Sequence, residues 1–558
     1  MISEYQGPYE KERSLWHGTW GPIACILGLF GVGWLTGERV PRALPVAPPE
    51  ALASTAVRSV AADDVWVTAD LHMHTCLTDG DHPFEEVKDR AAGFGLDLIV
   101  NSEHGGAYPR DENCTPWRDR PEVTLQGDPP GGAGEPVTMW RWQSLEEHAW
   151  PALEAARARH PDRMFVLGLE WNPPGADHVS VGIMAEGPEP VATFGRRFDR
   201  RMANLDGPDD ALRAVRWLEE HHRGRAWVLP AHPERTRSTT VETFRAWNDA
   251  APHVAFGFEG APGAQNAPIR GGFRPDRALG GTTWGGVGFM AAEVGGIWDA
   301  LLGEGREFWL FASSDFHREA GAFWPGEYTR THIRVEERTP EAVVAGMRAG
   351  RVFISHGHLV DQLEVRLFYE GEEARKGGTL RVPVGARPEL VIRWRSPLEN
   401  PAGRAPEVAT LQVIRGDRME RARPGTPGWS ATRNPTTRIE SVLRAEAAME
   451  VDTGTGTQGP MRELRFQLEP VTQSGYLRVR GTNNEPDTPL HTDPDGSPLP
   501  DAVALSNWLL DRIFLGGHPA PTSPEALLAE GFGWGVERAW SDLWFYSNPI
   551  FIEALEGP

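Results

Sequence analysis

Cysteine is nearly absent: there are three in 558 residues, Cys25, Cys76 and Cys114, an odd and widely scattered set. Such a set is neither a disulfide framework nor a zinc knuckle, and Cys76 reads as a small buried thiol. Basic charge is also short. Lys and Arg number 56 against 78 Asp and Glu, giving a formal net charge of −22. Without a basic face the chain is not suited to nucleic-acid polymers or anionic membranes. A small anionic substrate stays open, because a metal cluster brings its own positive charge. Internal repeats are lacking. Long apolar runs nearly are: one uncharged run extends from Ile23 to Leu35, with Trp16, Trp20 and Trp34 near its edges. It falls short of the ~20 residues of a membrane span and fits a signal h-region by length. Extended back to Leu15, it becomes a marginal span with interfacial tryptophans. Residues 1–40 are therefore expected to be a signal or membrane anchor, with 15–35 as the anchoring part. The folded portion is expected outside the cytoplasm, periplasmic or secreted. A Pro/Ala-rich linker follows over 41–62.

What is present begins with Ala69-Asp70-Leu71-His72-Met73-His74-Thr75 and its continuation Thr78-Asp79-Gly80. In an extended strand residues i and i+2 share a face, so His72 and His74 can aim two imidazoles at one point. Asp79 and Gly80 form a turn that can return a carboxylate to the same place. From there strands expected over 65–71, 96–101, 164–169, 178–184, 226–229, 254–258, 308–312 and 352–354 alternate with helical patterns. That alternation predicts a (β/α) barrel over 63–360, with its chemistry at the carboxyl ends of the strands. Beyond residue 361 the helical repeats thin out and short strands dominate. Residues 361–558 accordingly read as a β-sandwich, with one helix over 502–514 and a last strand over 542–552.

The strand ends collect the chemistry. Besides His72, His74 and Asp79 they present His104, Glu170, His178, His232, Asp315 and His317. Nine nitrogen and oxygen donors can hold two or three divalent ions, and imidazole with carboxylate but no thiolate suits Zn, Mn or Fe. Glu259 ends another strand without ligand spacing and reads as a supporting hydrogen-bond partner. His82, His148, His253, His332, His356 and His358 read as structural.

Taken together, Asp70-Leu71-His72-Met73-His74-Thr75 with Thr78-Asp79-Gly80, the segment from Gly95 to His104, Glu170, His178, Pro230-Ala231-His232 and Ser314-Asp315-Phe316-His317 resemble the PHP (polymerase and histidinol phosphatase) metallohydrolases. Within that superfamily the stretch Gly350 to Gly357, followed by a β region, is similar to the branch that includes carbaryl hydrolase. One departure is Ser102-Glu103-His104, where the family usually has Thr-Asp-His. The resemblance implies an α/β protein, a distorted (β/α)7 PHP-type barrel followed by a C-terminal β-sandwich. It also implies a multinuclear site on the nine residues and a hydrolase whose nucleophile is a hydroxide bridging two ions. Asp315 or a ring histidine would protonate the leaving group. Arg235, three residues after His232, would meet an anionic oxygen. Phosphoesters are the expected small-molecule substrates. Carboxylic or carbamate esters or amides are the alternative, and a non-catalytic, metal-stabilised surface binding protein is a third reading. The sequence indicates no oligomeric state.

Overall fold

A computed structural model describes residues 65–556 apart from 131–134, 204, 237, 268, 272–281, 455, 490 and 502–534. The expected signal or anchor, the linker and the helix over 502–514 lie outside the described residues. Among the described residues no helix is long and apolar enough to cross a membrane.

The first half alternates strands β1 (Val65–Asp70), β2 (Leu98–Asn101), β3 (Met164–Trp171), β4 (Val179–Ile183), β5 (Ala226–Pro230), β6 (Gly257–Ala261), β7 (Trp309–Ala312), β8 (Thr329–Val335) and β9 (Val352–His356) with helices. The longer helices are α1 (Phe84–Gly93), α2 (Trp150–Arg159), α3 (Glu189–Phe198), α4 (Pro208–His222), α5 (Val241–Ala250), α6 (Ile297–Gly303) and α7 (Pro340–Arg348). β1, β2 and β3 pair in parallel; β4 is antiparallel to both β3 and β5. β6 and β7 form a parallel pair. Strand-end bridges join Ala231 to Glu259 and Met73 to Phe316, so β5 meets β6 and β7 meets β1. Side chains alternate as the pleat requires. Leu98, Val100, Trp227 and Leu229 share one apolar cluster, whereas Ile99 and Val228 face the cluster that takes in Val87, Leu153, Phe194 and Leu218 from the helices. Both faces are covered, hence the near-continuous apolar runs that mark these strands in sequence.

α1 shows why such helices form where they do. Pro83 precedes the first turn, Glu85 and Glu86 sit at the positive end, and Phe84, Val87 and Ala91 give a buried stripe. One glycine is set by close approach. A Cβ on Gly182 of β4 would lie 2.0 Å from the Trp227 ring. Gly182→Ala is therefore expected to destabilise the fold by about 1–3 kcal/mol through overpacking, read by denaturant unfolding.

The second half is mainly strand, with a short helix over 535–541: β10 (Gln362–Tyr369), β11 (Glu372–Arg375), β12 (Thr379–Pro383), β13 (Glu389–Pro397), β14 (Thr410–Asp417), β15 (Arg438–Arg444), β16 (Met449–Asp452), β17 (Gln458–Gln467), β18 (Gly475–Thr482), β19 (Trp544–Ser547) and β20 (Ile550–Leu555). β11, β10, β13, β17 and β16 make a five-stranded antiparallel sheet. β12, β14, β15, β18, β19 and β20 belong to a 13-stranded sheet that also contains β1, through β8 and β9. Leu363, Val365, Leu390 and Ile392 of the first pack with Leu411, Val413, Leu477 and Val479 of the second in one core. The protein is thus mixed α/β, with a large sheet and additional antiparallel ones.

Three local expectations change. The strand expected over 254–258 lies at Gly257–Ala261, because its end is carried by buried Glu259 and not by the apolar run before it. The single strand expected over 542–552 is two, broken at Asn548-Pro549. The third concerns cysteine. Cys76 is not a free thiol: it is bonded to Cys114, with Cα atoms 5.1 Å apart. The loops after β1 and β2 leave the same rim, a juxtaposition invisible in a spacing of 38 residues.

Candidate metal centre

β1 ends at Asp70, whose carboxylate accepts from the backbone N–H groups of His72 and Ser314 and so ties two strand ends together. The chain stays extended past that pin. His72 and His74 fall on one face, their Nε2 atoms 3.0 Å apart. Burial permits no slack: His72, His74 and Glu170 have no exposed surface. Glu170, at the end of β3, stands in the middle. Its carboxylate oxygens lie 3.4 Å from His72 Nε2 and His74 Nε2, 2.7 Å from His178 Nδ1 and 3.2 Å from His232 Nε2. His104 Nδ1 also faces it. Asp315 Oδ1 is 3.3 Å from both His72 and His74 Nε2. Asp79 completes the rim, 3.4 Å from His104 Nε2 and from His317 Nε2.

All nine predicted side chains therefore converge. Seven of them fall into three overlapping donor groups: His72, His74 and Glu170; His104, Glu170 and His178; and His74, Asp79, His104 and His317; Asp315 and His232 stand beside these. The donor chemistry fits divalent ions, and so does a second observation. Among the described residues no well-formed hydrogen bond reaches the buried atoms Asp79 Oδ1, Glu170 Oε2, Asp315 Oδ1 or His104 Nδ1, which is costly unless a cation takes those lone pairs. The arrangement is compatible with a metal site. His232 and Asp315 also adopt positive φ, 33° and 46°. Left-handed backbone at non-glycine residues is strained, and strain held at a polar cluster is typical of functional positions.

Charge is balanced within the group. Burial alone would raise Glu170 and Asp315. The imidazoles of His104, His178 and His72 around Glu170, and of His72 and His74 with Asp315, hold both well below the usual carboxylate range. Burial, His317 and His104 push His74 down to about 3. His72, His104 and His317 go the other way: burial opposes their charge, but Glu259 and Glu170, Glu170 and Asp79, and Asp79 respectively raise them.

Supporting side chains were only partly legible in the sequence. Glu259 Oε2 lies 2.9 Å from His72 Nδ1, which fixes the ring with Nε2 toward the cluster. Glu259→Gln is expected to weaken metal binding about 10- to 100-fold while leaving the fold intact, measured by competition with a chelating indicator. Glu103, the departure from the family pattern, accepts from Thr75 Oγ1 at 2.5 Å and from Thr78 Oγ1, and so braces the loop that carries Asp79. Asp177 and Tyr108 gave no sequence signal beyond standing close to His178 and His104. Asp177 Oδ1 accepts from Arg235 Nη2 at 2.9 Å, and the same nitrogen is 2.8 Å from His178 Nδ1. Arg235 is therefore at the site. His332, by contrast, is bonded to Ser355 and stacked on Phe353 within the sheet.

No family model matches this sequence, and no curated protein is similar to it. Among solved structures, this chain is similar to a two-domain protein from Bacteroides vulgatus described as containing a predicted PHP-like metal-dependent phosphoesterase. The two are 11% identical over 83% of this chain and 98% of that one, with a TM-score of 0.31.

Proposed function

We propose that this chain is a metal-dependent hydrolase of the PHP type, a phosphoesterase working with two or three divalent ions of Zn, Mn or Fe. The observation that carries the reading is the convergence of nine imidazole and carboxylate side chains, seven of them in three overlapping donor groups, two of which share buried Glu170. The strand-end bridges support a closed seven-stranded barrel beneath them. The rim of the centre reaches solvent: Asp79, His178 and His317 keep 25%, 14% and 12% of their side chains exposed. An open rim favours an enzyme over a scaffold.

His72, His74, Glu170 and Asp315 would hold one ion; His104, His178 and Glu170 a second; and Asp79, His104 and His317 a third. Bound there, the ions would polarise the ester and lower the pKa of water. The protein's own part follows from its charges. Asp315, beside His72 and His74, would exchange a proton with the attacking water or with the leaving group. Arg235, anchored by Asp177, offers a guanidinium to a phosphate oxygen at the His178 side.

The test uses the chain from residue 62 onward, loaded in turn with Mn and Zn and given aryl phosphomonoesters, phosphodiesters, and carboxylic and carbamate esters. His74→Ala is the blank. Phosphoester turnover absent from the blank is the expected result. Turnover of carboxyl or carbamate esters alone would instead place the chain beside carbaryl hydrolase. Metal bound with no turnover at all would favour a binding protein.

The Cys76–Cys114 bond supports an extracytoplasmic location, since stable disulfides belong to oxidising compartments. Alkylation of the denatured, unreduced full-length chain is expected to label Cys25 alone; labelling of all three cysteines in protein from the native host would count against export.

A further inference from the structure

Two arginines flank Tyr108, one buried and one exposed. The Tyr108 ring lies parallel to the His104 imidazole, centroids 6.3 Å apart and planes 13° apart. The guanidinium carbon of Arg141 is 5.5 Å from the tyrosine ring centre. Arg141 is buried and donates to Leu77 O, His104 O and Ser144 Oγ at 2.6, 2.9 and 2.7 Å. Its donors are spent on backbone and a serine, so it is a pin. Arg201 is exposed. Its Nη1 donates to the Tyr108 hydroxyl at 3.1 Å and lies 3.5 Å from Gly105 O.

The backbone has been cleared to admit Arg201. A Cβ on Gly106, at φ 101°, would come within 2.9 Å of Arg201 Cδ. A Cβ on Gly105 would overlap Asp199 Oδ2, and the other oxygen of that carboxylate accepts from the Arg201 backbone N–H at 2.9 Å. On the other side Arg235 sits at His178, whose ring centre is 4.8 Å from that of His104. One guanidinium thus stands at candidate ligand His178 and the other at the tyrosine beside candidate ligand His104, on segments 34 residues apart in sequence.

We infer that Tyr108 and Arg201 form a second oxyanion subsite, so that the preferred substrate is a phosphate ester bearing another anionic group, carboxylate or phosphate, on its leaving portion. The inference rests on the phosphoesterase reading. A planar guanidinium fork beside a phenol hydroxyl matches such a group in geometry and charge. In a chain of net charge −22, a local cation is also what lets a doubly charged substrate approach. Tyr108 and Arg201 bind; they do not take part in bond breaking.

The test uses the metal-loaded chain and two readouts. Calorimetry compares binding of phenylphosphonate with that of its 2-, 3- and 4-carboxy derivatives, which cannot be hydrolysed. Kinetics compares kcat/KM for the corresponding phenyl phosphates. The native protein is expected to prefer at least one carboxylated probe about tenfold or more in both. Arg201→Gln and Tyr108→Phe should each cut that preference to about twofold or less, while leaving affinity for plain phenylphosphonate and metal content unchanged; Arg201→Lys should keep part of it. Turnover of phenyl phosphate with no preference for any carboxylated probe, or a preference that survives both substitutions, overturns the inference and leaves the phosphoesterase reading standing. Metal-loaded protein that turns over no phosphate ester overturns both.

Discussion

Glu170→Gln is expected to lower turnover about a thousandfold, roughly 4 kcal/mol of barrier, and to strip most of the bound metal. The substitution preserves volume and shape, so packing should survive. What it removes is the one negative charge shared by two of the three donor groups, in a position with no solvent to replace it. Five imidazoles face that carboxylate. An amide offers one oxygen of weaker donor strength and turns an N–H₂ toward nitrogens that need an acceptor or a cation. Metal analysis of the purified variant, alongside its steady-state rate, checks both halves. Full metal content with native turnover would remove Glu170 from the centre, and with it the reading of the three groups as one site.

The second large effect is on pH. In metal-free protein His72, His104 and His317 bind protons more tightly than an ordinary imidazole, because Glu170, Asp79, Asp315 and Glu259 surround them. A metal ion must displace those protons. Apparent metal affinity is therefore expected to rise steeply with pH through the neutral range, by up to about a thousandfold per unit if all three leave together. His74, pushed down to about 3, and His178, pushed down to about 4, are already neutral and add nothing to that slope. Stability should depend on pH differently with and without metal. Raised histidine values stabilise the metal-free fold below their unfolded value near 6.5, and that contribution fades as pH climbs through the folded values. Glu170 and Asp315, held low, contribute above their unfolded values near 4, and that contribution is lost on acidification. His74, His178, His332, His356 and His358, held low, oppose the raised histidines on acidification, so the expected result is that the gap in stability between loaded and metal-free protein widens as pH rises. Thermal melts over pH 4–9, with and without chelator, would show this widening; parallel curves would mean that protons and metal do not compete for these groups.

Much of the site was legible because its residues stand at the ends of apolar runs. Leu167-Gly168-Leu169-Glu170 and Val228-Leu229-Pro230-Ala231-His232 announce a polar group where a buried strand stops. Parity in His72-Met73-His74 then gives the facing. What stayed hidden was whatever depends on two loops meeting. The Cys76–Cys114 bond, the Arg235–Asp177 pair and the Tyr108–Arg201 contact each join segments that carry no periodic signal. Glu103 was noticed as an oddity, but its role needed the two threonine hydroxyls to be seen beside it. In the fold, β8 was missed because Thr329-Arg330-Thr331-His332 looks polar, although it is covered on both sides, by β1 and by β9. Residue 361 marks a real change in composition, yet the hydrogen-bonded sheet runs straight across it.

That crossing sets the order in which the molecule can be made. β9 receives its outer neighbour only when β19 has been synthesised, nearly 200 residues later, and the side chain of Asn548 accepts from the backbone of Leu310 across 238 residues. A nascent chain carrying all nine candidate ligands would still hold an open strand edge beside them, with the apolar ring of Trp309 waiting for Phe551. Ribosomal synthesis at about 5–20 residues per second leaves that edge unpaired for roughly 10–40 seconds. High sequence separation between partners also makes the final closure slow. The half that carries the candidate metal ligands is therefore completed from the far end of the chain, and its yield should depend on chaperones that shield the β9 edge until residues 544–555 arrive.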